Sequence, residues 1–234
     1  MPVKTVLPSI RAVPLGSGSA TLRLSQRDRE HLASIATLMH VAPGTVFYER
    51  GREASAVYNI VSGTVCSFRR MDDSTERVAA FLFADDLFGL ARAGRYVNST
   101  RAVTPVSAFR MPLESLSGLL LRDASLQFRF LCKAAQALRE TQRRALLLTR
   151  HDPVERVAMF LALMEEAQGD KRSDDHVIGL PMNRRDIASF LNLTSGSVDA
   201  ALGALTQRGI IERHDDGSVT VLDRERFDAA GLDA

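Results

Sequence analysis

The chain has 234 residues, 45% of them hydrophobic and 25% charged, with a formal net charge of +2. No apolar run reaches the roughly 20 residues that a membrane-spanning helix requires. The two cysteines, Cys66 and Cys132, lie far apart in apolar contexts and give no disulfide framework, so buried thiols in a reducing cytoplasm are expected. The net charge hides an asymmetry. Residues 1–150 hold 21 Lys/Arg against 12 Asp/Glu, a balance of +9, whereas residues 151–234 hold 9 against 16, a balance of −7.

In chain order, residues 1–20 combine three prolines with a Gly-Ser-Gly-Ser stretch and read as a flexible arm. Ser25 to Asp28 has the form of a capping box. Leu32, Ile35, Ala36 and Met39 then recur at helical spacing, which predicts a helix over 26–39. The period next changes to two: Val46 and Tyr48, Tyr58 and Ile60, then Val78, Ala80 and Leu82. Turn residues at Gly51, Gly63, Asp72-Asp73-Ser74, Asp85-Asp86 and Gly94 separate short strands of a barrel or sandwich, ending near Phe109.

A short helix is expected over 113–121 and a long one, free of Gly and Pro, over 123–149. Along the long helix Phe128, Leu131, Ala135, Leu138, Gln142 and Ala145 form a narrow seam, the pattern of a two-helix coiled coil. Arg129, Arg139, Arg143 and Arg144 widen its polar face and favour a partner helix over burial within one chain. His151-Asp152-Pro153 ends it, with Asp152 as N-cap and Pro153 as first residue of the next helix. That helix carries Val157, Phe160, Leu161 and Met164 on one face, and Gly169 to Asp175 reads as a loop.

Residues 183–208 hold two helical stretches around a very short turn. Asn183 can cap the first, whose inward residues are Ile187, Ala188 and Leu191. Asn192 sits in the turn, where left-handed backbone must be tolerated. Thr194 or Ser195 caps the second, whose inward face is Val198, Ala201, Leu202 and Leu205. Gly209 ends it, and two short apolar strands then flank Asp215-Asp216-Gly217. Helix, tight turn, helix and hairpin make a winged helix-turn-helix, whose second helix normally enters the DNA major groove.

Leu180-Pro181-Met182-Asn183-Arg184-Arg185-Asp186-Ile187-Ala188 through Thr194 resembles the helix-turn-helix signature of the CRP/FNR family, especially its FixK-like members. Pro43-Gly44, Val46-Phe47, Gly51, Tyr58, Gly63 and Asp86-Leu87-Phe88-Gly89 resemble that family's cyclic-nucleotide-type β-roll, and Glu155 to Leu161 the helix opening its DNA-binding domain. The resemblance implies an α+β chain: a β-roll over 21–121, a dimerisation helix over 122–150 and a winged helix-turn-helix over 151–234. It further implies a cytoplasmic homodimer that binds double-stranded DNA at promoter palindromes and contacts RNA polymerase, with no enzymatic activity and no membrane partner.

Three departures qualify that picture. Cyclic-nucleotide-binding members carry a glutamate after the glycine of the loop and an arginine some ten residues on; here Phe88-Gly89-Leu90 and Tyr96-Val97 occupy those places. Arg95 or Arg101 would substitute only if the loop shifts, so a cyclic phosphate would lack a charged partner. Residues 1–40 contain no cysteine for an iron–sulfur cluster, and His31 and His40 read as solvent-facing helix residues rather than haem ligands, so no cofactor is expected. Finally, family members commonly read bases with a glutamate at 196 and an arginine at 200, where this chain has Gly196 and Ala200, flanked by Ser195 and Asp199. Asn183, Arg184, Arg185, Thr194, Ser197 and Arg213 complete the expected DNA-facing set. The alternative reading is a dimeric interaction protein of the same fold that has lost autonomous DNA binding.

Overall fold

The computed structural model describes residues 26–71, 75–168 and 177–232. The expected arm over 1–20, the turn at 72–74 and the loop over 169–175 lie outside these. Helix α1 (Gln26–Ala33) leads into strands β1 (Thr37–Val41), β2 (Val46–Tyr48), β3 (Ala56–Ser62), β4 (Val65–Arg70) and β5 (Glu76–Leu82). Short strands β6 (Leu87–Phe88), β7 (Ala91–Arg92) and β8 (Arg95–Tyr96) follow, then β9 (Ser99–Ala102) and β10 (Val106–Pro112). Two four-stranded antiparallel sheets, ordered β1-β10-β3-β6 and β2-β9-β4-β5, form the roll, and β7 with β8 makes a ribbon.

The expected helix over 26–39 ends at Ala33, and Thr37–Val41 is a strand instead. Leu32, Ile35 and Ala36 still pack on the lower core, but Leu38 and His40 pair across β10 with Phe109 and Ser107. A step of four satisfies a strand's alternation as well as a helix's turn, so spacing alone could not separate Met39 from the helix before it. Strand β4 escaped the alternation test for another reason: Val65, Cys66, Ser67 and Phe68 are all buried. Both of its faces are covered, which erases the polar half of the pattern. Glycine is obligatory at Gly63, where φ is +93° and a Cβ would lie 2.2 Å from the Pro105 carbonyl oxygen.

Helices α2 (Leu113–Arg122) and α3 (Ala124–Thr149) come next, with the Asp123 side chain accepting from the Leu126 amide to cap α3. Leu126 and Leu147 anchor the two ends of α3 in the core. Every expected seam residue between them, from Phe128 to Ala145, is exposed in the single chain. Helix α4 (Pro153–Gln168) starts as expected, with Asp152 accepting from the Val154 amide at 2.8 Å. Strand β11 (Val177–Ile178), helices α5 (Arg184–Leu191) and α6 (Ser195–Gln207), strands β12 (Ile211–Arg213) and β13 (Val219–Val221) and helix α7 (Arg224–Leu232) complete the chain. The spacing had not revealed β11, which joins β13 and β12 in a three-stranded sheet, or α7, which packs on α4. Among the described residues no helix is long and apolar enough to cross a membrane.

The largest core cluster does not respect the boundary between roll and winged domain. Cys66, Phe68, Val78, Phe81 and Phe83 of the roll join Phe160, Ile187, Phe190, Leu191 and Leu202 of the C-terminal part. Phe81 touches both Phe160 and Phe190, with ring centroids 6.3 and 5.4 Å apart. Cys66 is fully buried, whereas Cys132, also expected inside, is half-exposed on α3.

Candidate nucleic-acid interface

Local chemistry fixes the helix-turn-helix. The Asn183 carboxamide oxygen accepts from the Asp186 amide at 2.8 Å, capping α5. Asn192 takes left-handed backbone with φ of 54° and ends α5, and its amide donates to the carbonyls of Ala188 and Ser189. Thr194 caps α6 by accepting from the Ser197 amide at 3.1 Å, and the two hydroxyls bond each other at 2.8 Å. Buried Val198, Ala201, Leu202 and Leu205 seat α6 on α4 and α5, and buried Ala188 allows a close crossing. In the wing, β12 and β13 turn through Gly217 at φ of 84°, and the His214 amide donates to the Ser218 carbonyl. Bonds from the Ser218 hydroxyl and amide hold the Asp216 carboxyl below its usual pKa, so the wing tip stays acidic.

The outward side of α6 is exposed at Thr194, Ser195, Gly196, Asp199 and Ala200. It offers two hydroxyls, one carboxylate and no long cation. Arg185 is exposed beside it and Arg213 stands on the wing, but Arg184 is engaged: its Nε donates to Asp199 Oδ1 at 3.2 Å. Asn183 is committed to capping, its Nδ2 also donating to Asp186. The expected DNA-facing residues therefore differ in availability.

The opposite side of α5 meets the roll through contacts that the sequence did not announce. Ser189 Oγ accepts from the Val78 amide at 3.0 Å and donates to the Glu76 carbonyl at 2.7 Å. Arg101 donates to Glu76 at 2.5 Å and to Asp186 at 2.6 Å. Arg144, which the sequence placed on the polar face of α3, donates to the carbonyls of Val78, Ala79 and Phe190 and lies 4.5 Å over the Phe190 ring. Burial pulls its pKa below the ordinary arginine value. Arg156 satisfies the last carbonyls of α5, at Leu191 and Asn192.

Inside the roll, Tyr96 is buried and stacked on Tyr48, with ring centroids 3.8 Å apart. Its hydroxyl donates to the Ala56 carbonyl at 3.0 Å and accepts from the Ser55 and Ala56 amides at 3.2 Å. Tyr58, Phe47 and Phe88 extend the aromatic cluster. Arg95 turns outward to the Gly51 carbonyl, and Arg101 is taken up by the contacts above. His31 bonds Asp123 and His40, on a strand rather than a helix, bonds Ser107. No group of three or more metal-binding side chains occurs among the described residues.

Comparison with known proteins agrees with this geometry. The profile of the Crp-like helix-turn-helix domain matches residues 155–230, and that of the cyclic nucleotide-binding domain matches residues 38–123. The transcriptional activatory protein AadR of Rhodopseudomonas palustris is 30% identical over 213 residues, covering 88% of this chain and 86% of the relative. The nitrogen fixation regulation protein FixK of Azorhizobium caulinodans is 30% identical over 220 residues, covering 93% and 88%. The solved structure of FixK2 from Bradyrhizobium japonicum superposes with a TM-score of 0.78 at 28% identity, covering 86% of this chain and 99% of that one. Two relatives at 30% identity over most of both chains, with the superposition on FixK2, show the family: the chain belongs to the CRP/FNR family of DNA-binding transcription regulators, among its FixK-like members.

Proposed function

We propose that the chain works as a homodimer, joined along α3, that binds promoter DNA at paired half-sites and meets RNA polymerase there. The roll over 21–121, the helix over 122–150 and the winged domain over 151–234 are its working parts. Support for the dimer comes from α3, where Phe128 and Leu131 are each 65% exposed and Leu138 60%. Large apolar side chains at this spacing, bare along a helix anchored at both ends, match a coiled-coil seam awaiting its partner.

The observation that carries the DNA reading is the free outward side of α6 at the end of a correctly capped helix-turn-helix. Its short side chains shape the recognition. Arginine reads guanine through a bidentate pair worth about 1–3 kcal/mol of discrimination, and Gly196 and Ala200 supply nothing comparable. Phosphate contacts from Arg185, Thr194 and Ser197, with Arg184 when released from Asp199, carry most of the affinity, and sequence preference is low. The roll takes no cyclic nucleotide: Tyr96 stacks on Tyr48 inside it, and of the two candidate phosphate partners Arg95 bonds the Gly51 carbonyl and Arg101 bonds Glu76 and Asp186. A second reading, an interaction protein that works through other chains, draws on the −7 balance of residues 151–234. Selection of bound sites from random duplexes with the purified protein separates the two. A recovered two-fold-symmetric consensus, even a weak one, supports the regulator, and no enrichment of any duplex supports the interaction protein.

A further inference from the structure

Strand β5 is the edge of its sheet, with β4 as its one partner in the order β2-β9-β4-β5. An unpaired strand edge presents a row of backbone donors and acceptors that must find partners when covered. Here the partners come from outside the sheet. Ser189 of α5 takes both the Val78 amide and the Glu76 carbonyl, which is what a neighbouring strand would do. Arg144 of the long helix takes the Val78 and Ala79 carbonyls and, with the same guanidinium, the Phe190 carbonyl of α5. Arg77 reaches the carboxamide of Asn192 in the turn of the helix-turn-helix at 3.1 Å.

An ion-pair bridge closes one end of this contact. Arg101, with 18% of its side chain exposed, lies between Glu76 on β5 and Asp186 on α5, the latter 9% exposed. Removing Arg101 leaves the buried Asp186 carboxylate without its cation, and removing the Asp186 charge frees Arg101 to pair with Glu76 on its own side alone, so the bridge is more sensitive to single substitutions than a surface pair. The Arg101 guanidinium also lies 4.7 Å over the Phe68 ring, which fixes its plane.

We propose that Arg101 and Asp186 are positioning residues for DNA binding: they latch the helix-turn-helix to the edge of the roll and so hold the recognition helix at one orientation without a bound effector. The latch uses the inner side of α5 and the turn, leaving the outward side of α6 free, so it presents that helix rather than covering it. In a dimer that spans two half-sites, each recognition helix must meet its groove at a separation set by one turn of DNA. A latched helix meets that demand ready-made. An unlatched one keeps its apolar and Arg144 contacts with the roll but not its fixed angle, and must be ordered when the second half-site is engaged, which lowers its effective concentration. The DNA consequence rests on the paired-half-site reading above; the latch itself does not.

Two readouts test it on the full chain. Exchange of the Val78 amide, whose bond runs to Ser189 and not to β4, reports the latch directly. Anisotropy titrations on a duplex of roughly 26 base pairs, which admits both halves of the dimer, and on one of about 12, which admits a single half, report its use. In Arg101→Gln and in Asp186→Asn, Val78 exchange rises about tenfold while the amides of the β4–β5 ladder keep their protection, and the double variant adds little. Affinity for the long duplex falls about tenfold and that for the short one stays. Unchanged Val78 exchange in both variants overturns the latch. Faster exchange with unchanged long-duplex affinity overturns its positioning role. Should Arg101→Gln lose ladder protection, Asp186→Asn decides alone, since it keeps the side chain's shape and its bonds to Asn183. Wild type binding neither duplex would contradict the regulator reading, and the exchange arm would still judge the latch.

Discussion

Arg184 and Asp199 form an ion pair across the helix-turn-helix, Nε to Oδ1 at 3.2 Å, joining the first residue of α5 to the exposed side of α6. Sequence alone suggests a carboxylate that repels DNA beside a cation that binds it. Paired, each weakens the other: the carboxylate is partly neutralised, and the arginine is held away from a phosphate. The pair is partly exposed, so its own contribution to stability is small, on the order of 1 kcal/mol or less.

Asp199→Ser therefore acts twice, removing a negative charge and releasing Arg184. It raises affinity for all duplexes together, without changing their order. Ala200→Arg combined with Gly196→Glu does the opposite, creating preference for the family palindrome over a scrambled duplex. Side chains fit at 196, where an added Cβ meets only the Thr194 hydroxyl, at 3.9 Å. A single bidentate arginine is expected to give roughly tenfold discrimination or more. Parallel titrations of these variants against both duplexes check each outcome.

The α3 seam predicts the oligomeric state. Leu131→Glu with Leu138→Glu puts charge on two side chains that the single chain leaves bare. Sedimentation at micromolar concentration should show a dimer for the wild type and a monomer for the variant, with the far-UV spectrum retained. A variant that stays dimeric would remove α3 as the interface.

Tyr96→Phe tests whether the aromatic cluster is structural. The substitution keeps the ring on Tyr48 but strands the Ser55 and Ala56 backbone groups that now bond the hydroxyl. Buried polar groups without partners cost about 1–3 kcal/mol each, partly relieved by relaxation. A drop of about 1–3 kcal/mol in urea unfolding is expected, with no gain of cyclic AMP binding by calorimetry.

Burial among Phe68, Val78 and the C-terminal core pushes the Cys66 thiol from an ordinary 9.0 up to about 12. The sign follows from which state loses its proton first. Between pH 9 and 12 the unfolded chain ionises while the folded chain keeps its proton, so rising pH favours unfolding. Cys66 thus contributes a loss of about 1 kcal/mol of stability per pH unit above 9. Urea midpoints at pH 8 and pH 10 should differ less in Cys66→Ala than in the wild type.

How much was legible in the sequence depended on how local each feature is. The helix-turn-helix could be read because its caps, Asn183 and Thr194, and its left-handed Asn192 act within a few residues of themselves. The exposed apolar row along α3 could be read because one helix carries it all. By contrast, β4 was hidden by being buried on both faces, and the start of β1 was hidden by a spacing common to helix and strand. The bridge from Arg101 to Asp186 joins residues 85 positions apart on different elements, and neither residue type signals its partner. Asp199 was visible as a charge, but its pairing with Arg184 depends on how α5 crosses α6.

The most direct test of phosphate-led, weakly discriminating DNA binding is anisotropy titration of the wild-type protein on a family palindrome and a scrambled duplex across a salt series. The expected result is a steep negative slope of log K against log salt on both duplexes, since each neutralised phosphate releases counterions. The two affinities should lie within about tenfold of each other, less than the roughly thousandfold or greater ratio of ordinary specific binders. A thousandfold preference for the palindrome in the wild type would contradict this, placing discrimination in Ser195, Asp199 or DNA shape. A flat salt dependence on both duplexes would contradict DNA binding through phosphates altogether.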